Sequence, residues 1–229
     1  MTVDDFLKEW HSEEPFVVAH TSGSTGKPKE IKLLKADMRA SAALTNRFFS
    51  IDSGSTLLLC LSPDYIAGKM MIVRAEEAGA TLLVESPSNR PLEHFSDLLA
   101  VVPSQALWLA EHQESLNNVR NMIVGGGEIT PRLRTMLSQL HVNAYATYGM
   151  TETCSHVALS RIAEPAQPFE ASARHVRNRP SWMSCNQRST IQFQPPTDQR
   201  HCRPSRSRPL LLARSLRQRG QHWRYQGVS

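Results

Sequence analysis

Over its first 160 positions the chain alternates between short apolar blocks and longer stretches with apolar residues three or four apart. The short blocks are FVVAH (Phe16–His20), TLLLCL (Thr56–Leu61), ATLLVE (Ala80–Glu85), NMIVGGG (Asn121–Gly127), NAYATYG (Asn143–Gly149) and SHVALSRI (Ser155–Ile162). Each is too short for a helix and too apolar for a half-exposed strand, which predicts strands buried on both faces. Between them, Lys35–Phe49 sets Met38, Ala42, Thr45 and Phe49 on one helical face. Ala67–Gly79 reads as a helix closed by glycine, and Pro91–Ala100 as a helix with proline at its first position. Thr130–Leu140 has Thr130 as N-cap and Pro131 at the first turn. Buried strands separated by helices predict an α/β fold, a mostly parallel sheet flanked by helices. Ligands in such folds gather at the carboxyl ends of strands, and the glycine turns at Gly23–Gly26, Gly125–Gly127 and Gly149 all follow strands.

Charge divides the chain. The formal net charge is +5, but residues 1–162 hold 14 Lys+Arg against 18 Asp+Glu, while residues 163–229 hold 12 Arg, no Lys and only Glu164, Glu170 and Asp198 as acids. The basic character therefore belongs to the tail. The four cysteines (Cys60, Cys154, Cys185, Cys202) form no C-x-x-C pair and no zinc spacing, which predicts a reducing, cytoplasmic setting and thiols without chemistry. The opening MTVDDFLKEW is acidic and amphipathic, so no signal peptide is expected. No apolar run approaches the roughly 20 residues of a membrane span.

The chemistry concentrates in HTSGSTGKPKE, His20–Glu30. Gly23 and Gly26 permit turns that a Cβ would obstruct. Thr21, Ser22, Ser24 and Thr25 bring hydroxyls, and Lys27 and Lys29 bring positive charge. Successive backbone N–H groups in such a turn form an anion nest, most simply for a phosphate chain. A Walker A loop is excluded, because Thr21 stands where its first glycine would be and Pro28 follows the lysine. The alternative reading is a flexible turn with no ligand.

The stretch TSGSTGKPK resembles the phosphate loop of the adenylate-forming (AMP-binding) superfamily of acyl-CoA synthetases. GGGEITPRL (Gly125–Leu133) resembles that family's adenine-binding turn, and YATYGMTET (Tyr145–Thr153) its signature loop, in the same order along the chain. LSPDYIAGKMMIVRA and TETCSHVAL look most like o-succinylbenzoate–CoA ligases of menaquinone biosynthesis. The resemblance implies a ligase that activates a carboxylate with ATP, releases pyrophosphate and then forms a thioester with CoA. It implies that Thr21–Lys29 hold the β and γ phosphates and that Thr151 contacts the α-phosphate. Glu152 would ligate Mg²⁺, Gly125, Gly126 and Gly127 would let backbone approach adenine, and Tyr148 beside Gly149 would stack on it. Lys27, Thr151 and Glu152 are thus the catalytic candidates. His156 and Arg74 are candidates for the acid's pocket, with two plain alternatives: a satisfied strand histidine and a helix surface charge. His20 reads as a residue that packs before the loop.

Composition changes after about Phe169. The last 60 residues are rich in Arg, Ser, Gln and Pro, which predicts disorder. The chain thus divides into an incomplete AMP-binding domain, 1–168, and a basic tail, 169–229. The tail also resembles a coding sequence read out of frame. Shifted by one nucleotide, synonymous codons exist for which Leu212 to the end reads WRGRYDNVVNTGGIKV and Gln194–Arg206 reads NRLQTNDIVDLV. Both resemble family segments, the hinge to a C-terminal domain and the ribose-binding aspartate. A single frame change between about Pro165 and Ala173 is expected. The written chain then lacks the ribose aspartate, the hinge and the catalytic lysine beyond it. Two other readings stay open: a general acyl- or aryl-CoA ligase, and a non-catalytic nucleotide-binding module whose twelve arginines grip nucleic acid.

Overall fold

A computed structural model describes residues 1–20, 30–88, 90, 94–163, 170–171 and 226–227. The elements are α1 (Val3–His11), β1 (Phe16–His20), β2 (Glu30–Leu34), α2 (Lys35–Phe49), β3 (Thr56–Leu59), α3 (Ile66–Ala78), β4 (Thr81–Val84), β5 (Leu98–Val101), α4 (Pro103–Glu111), β6 (Asn121–Val124), α5 (Pro131–Ser138), β7 (Asn143–Gly149), β8 (His156–Arg161), β9 (Glu170–Ala171) and β10 (Gln226–Gly227). The main sheet runs β10-β4-β3-β5-β6-β7-β8-β9. Strands β10 through β7 pair in parallel, and β7–β8 and β8–β9 pair antiparallel.

Strand alternation sends side chains to two separate cores. Leu57, Leu59, Leu98, Ala100, Ile123 and Leu159 join the core under α1, α2 and α3. Leu58, Cys60, Leu99, Val101, Met122, Val124, Ala144 and Ala146 join the core under α4 and α5. Apolar surface on both sides of the central strands β3, β5 and β6 explains why their sequences are continuous apolar blocks.

Helix ends follow local chemistry. Thr2 caps α1 by accepting from Asp5 N–H at 3.1 Å, and the Asp5 carboxylate accepts in return from Thr2 N–H at 3.0 Å. Thr130 Oγ1 accepts from Leu133 N–H at 3.2 Å at the start of α5. Gly79 ends α3 at φ 66°, a left-handed value that suits glycine.

Two sequence expectations change. Pro91–Ala100 is not a helix through its end: Leu98–Val101 is strand β5, all four residues buried between β3 and β6. The run LLAV is buried from both faces by pairing with β3 and β6, and that tertiary pairing overrides a weak helical spacing. β1 is not part of the parallel sheet. It pairs antiparallel with β2, His20 opposite Glu30, in a small sheet of two strands. The phosphate loop, residues 21–29, lies outside the described residues, but its flanks are held side by side by this pair. The tail, apart from the strands β9 and β10, also lies outside them. Among the described residues no helix is long and apolar enough to cross a membrane.

Candidate functional site

Strand order reverses at β3: β4 lies on one side and β5 on the other. In parallel sheets the crevice at the carboxyl ends of such strands is the default ligand site. The turn Gly125–Gly127 leaves β6 at that end, and Gly149 leaves β7 beside it.

Glycine is required in these turns by space. A Cβ on Gly125 would collide with Thr147 Oγ1, whose hydroxyl donates to the Val124 carbonyl at 3.2 Å. Gly126 sits at φ 79°. Gly126 and Gly127 are exposed, so their backbone is open to a ligand. Tyr148 is half-buried at the end of β7, one residue before the second turn.

Residues 151–153 form a single 3₁₀ turn after β7. Thr153 organises it: Oγ1 accepts from Met150 N–H at 3.1 Å and lies 2.7 Å from the Ser155 carbonyl. Cys154 closes the turn at φ 64°. The buried Thr153 thereby leaves Glu152 exposed and Thr151 half-exposed at the crevice. Among the described residues Glu152 takes part in none of the ion pairs. Three-residue metal clusters are absent among the described residues. One open carboxylate suits a cation that takes most of its ligands from phosphate and water, as Mg²⁺ does.

A second group lies beneath the sheet, between α2, α3 and β8. Arg74 is only 2% exposed, which overturns its reading as a surface charge. Its Nη2 donates to Ser155 Oγ at 2.6 Å and its Nη1 meets Met71 Sδ at 3.4 Å. Its Nε is buried without a hydrogen-bond acceptor, and no carboxylate among the described residues pairs with it. Burial lowers its pKa to about 10, so it stays charged. His156 is buried beside it, with Nδ1 3.4 Å from Ser155 Oγ and Nε2 3.4 Å from Thr45 Oγ1. Burial, then the Arg74 charge, pushes its pKa down to about 3, so it is neutral at ordinary pH.

The structure thus brings Arg74 and His156 together, and Gly125–Gly127, Tyr148, Gly149, Thr151 and Glu152 stand on neighbouring strand ends. Thr21, Ser22, Gly23, Ser24, Thr25, Gly26, Lys27 and Lys29 lie outside the described residues. His20, read as a packing residue, is exposed and 3.7 Å from Glu30. Sequence reasoning missed Ser155 and Thr45 as neighbours of the pair. A threonine within the apolar stripe of a helix was the one available sign.

Comparison with known proteins fits this architecture. A model of the AMP-binding enzyme family matches residues 4–179. The chain belongs to that family. A 2-succinylbenzoate–CoA ligase of Bacillus cereus strain Q1 is 25% identical over 178 residues, covering 71% of this chain and 37% of the ligase. The chain therefore spans little more than a third of that relative's length. Among solved structures, an acyl-CoA synthetase (AMP-forming)/AMP-acid ligase II-like protein from Dyadobacter fermentans is 36% identical with a TM-score of 0.67, covering 73% of this chain and 50% of the other. The o-succinylbenzoate coenzyme A synthetase of Bacillus subtilis in complex with AMP is 25% identical with a TM-score of 0.53, covering 62% and 38%.

Proposed function

We propose that this chain carries the nucleotide- and acid-binding part of an ATP-dependent acid–CoA ligase whose acid is 2-succinylbenzoate. Arg74 is the observation that carries the acid assignment. A buried guanidinium without a carboxylate partner costs several kcal/mol. A substrate with one carboxylate to activate and a second to leave beside Arg74 removes that cost. Two carboxylates on an aromatic acid are what the B. cereus relative's name describes.

The chemistry follows from the crevice. One carboxylate oxygen attacks the α-phosphorus of ATP, the bond from that phosphorus to the α,β-bridging oxygen breaks, and pyrophosphate leaves with that oxygen. CoA thiolate then displaces AMP from the acyl carbon. Negative charge grows on phosphate oxygens in the first step, so fixed donors accelerate it. The loop Thr21–Lys29, with Lys27, would bind the β and γ phosphates, and Thr151 would donate to the α-phosphate. Gly125–Gly127 and Gly149 admit adenine against backbone, with Tyr148 on its face. Glu152 would hold Mg²⁺, which supplies charge neutralisation when bound.

The test is pyrophosphate release requiring ATP, Mg²⁺ and 2-succinylbenzoate, measured on the 229-residue chain and on its frame-restored form. Equal or better turnover of aryl or fatty acids with one carboxylate would overturn the acid assignment. Absence of adenine-nucleotide binding by calorimetry, with magnesium present, in both forms would overturn the whole reading.

A further inference from the structure

The hydrogen bonds around Arg74 have directions that agree from end to end. A guanidinium can only donate. Ser155 Oγ therefore accepts from Arg74 Nη2, at 2.6 Å, which leaves its own proton available to His156 Nδ1 at 3.4 Å. An imidazole that accepts at Nδ1 carries its proton at Nε2. Nε2 faces Thr45 Oγ1, which accepts because its own proton goes to the Ser41 carbonyl at 3.0 Å. The chain ends on the backbone of α2. A second tie, from Asn46 Nδ2 to the Arg74 carbonyl at 2.9 Å, holds the same two helices together.

We propose that Ser155 is a positioning residue for acid recognition: through it, His156 and Thr45 tie the Arg74 guanidinium to α2 and fix the orientation in which it meets the acid's second carboxylate. This rests on the reading of Arg74 as that carboxylate's anchor. The neutral state of His156 is consistent with it, since an imidazolium would donate from both nitrogens and turn the Ser155 hydroxyl away. Ser155 does not touch the reacting atoms. Its contribution is directional, because a guanidinium binds a carboxylate through a planar fork whose angle matters.

The experiment uses the 229-residue chain with ¹⁵N-labelled histidine, the His156 signals being assigned by difference from His156→Gln. Side-chain ¹⁵N shifts report the tautomer, and calorimetry reports binding of 2-succinylbenzoate and, separately, of ATP. The expected result is an Nε2–H tautomer with a hydrogen-bonded Nδ1. Ser155→Ala should shift Nδ1 towards its unbonded value and weaken 2-succinylbenzoate about tenfold, roughly 1.4 kcal/mol, with ATP binding unchanged. Ser155→Thr should restore both. An Nδ1–H tautomer in the parent chain overturns the proposal whatever the variants do. So does a Ser155→Ala protein with unchanged shifts and unchanged acid affinity. If the parent chain binds ATP and shows the expected tautomer but takes up no 2-succinylbenzoate, the acid assignment falls and the hydrogen-bond chain stands only as a structural tie.

Discussion

Gly149 and His156 approach so closely that a Cβ on the glycine would lie 2.6 Å from His156 Cα. They face each other across the β7–β8 pair, at the irregularity that re-aims the chain into the 151–153 turn. This contact joins the proposed nucleotide side of the crevice to the proposed acid side.

Gly149→Ala should therefore disturb both sides at once. Backbone, not a flexible side-chain tip, must give way, which costs about 1–3 kcal/mol. Thermal unfolding should show the loss as a lower Tm. Calorimetry on the folded fraction should show weaker binding of both ATP and acid.

Arg74→Met should separate stability from recognition. Replacing a buried charge that pairs with no carboxylate among the described residues by a shorter, unbranched apolar side chain is expected to leave stability unchanged or raise it by about 1–4 kcal/mol. Binding of 2-succinylbenzoate should fall sharply while ATP affinity holds. A destabilised variant with intact acid binding would contradict the role given to this residue.

A half-buried group and a buried one bias stability against pH in opposite directions. Glu76 is raised to about 7, chiefly by burial, so the folded state keeps a proton that the unfolded chain has lost above its ordinary 4.5. Stability from this group is present at low pH and falls as pH rises from about 4.5 to about 7. His156, lowered to about 3, does the reverse: its contribution is present above the ordinary 6.5 and is lost as pH falls towards 3. Glu76→Gln should make stability rise more steeply with pH between 4.5 and 6.5 than in the parent chain. His156→Gln should make it fall relative to the parent over the same range. Denaturant midpoints at several pH values check both signs. Glu76 also has His11 Nε2 at 3.0 Å from Oε1, so His11→Gln is the control for their contact.

The division at about residue 169 predicts a single-nucleotide frame change between the codons of Pro165 and Ala173. The family match runs to residue 179, six residues past that window. Sequencing the locus should reveal a continuous second frame encoding WRGRYDNVVNTGGIKV. Mass-spectrometric detection of native peptides such as Ser181–Arg188, from an intact frame, would disprove it.

What the sequence determined by itself was the alternation of buried strands and helices, and the order of the three glycine-rich loops. Both are local: apolar blocks such as NMIV and caps such as Thr130 carry their structure within a few residues. The sequence also marked Glu152, because YGMTET is recognisable as a run. Tertiary structure decided the rest. LLAV at 98–101 became a strand because it pairs with β3 on one side and β6 on the other. β1 left the main sheet because β2 could pair with it. Arg74 became a buried cation, not a surface one, because β8 closes over α3 with Ser155 in reach, 81 residues further along the chain. Periodicity records which face of an element is apolar. Which polar groups share the space behind that face depends on how the elements stack.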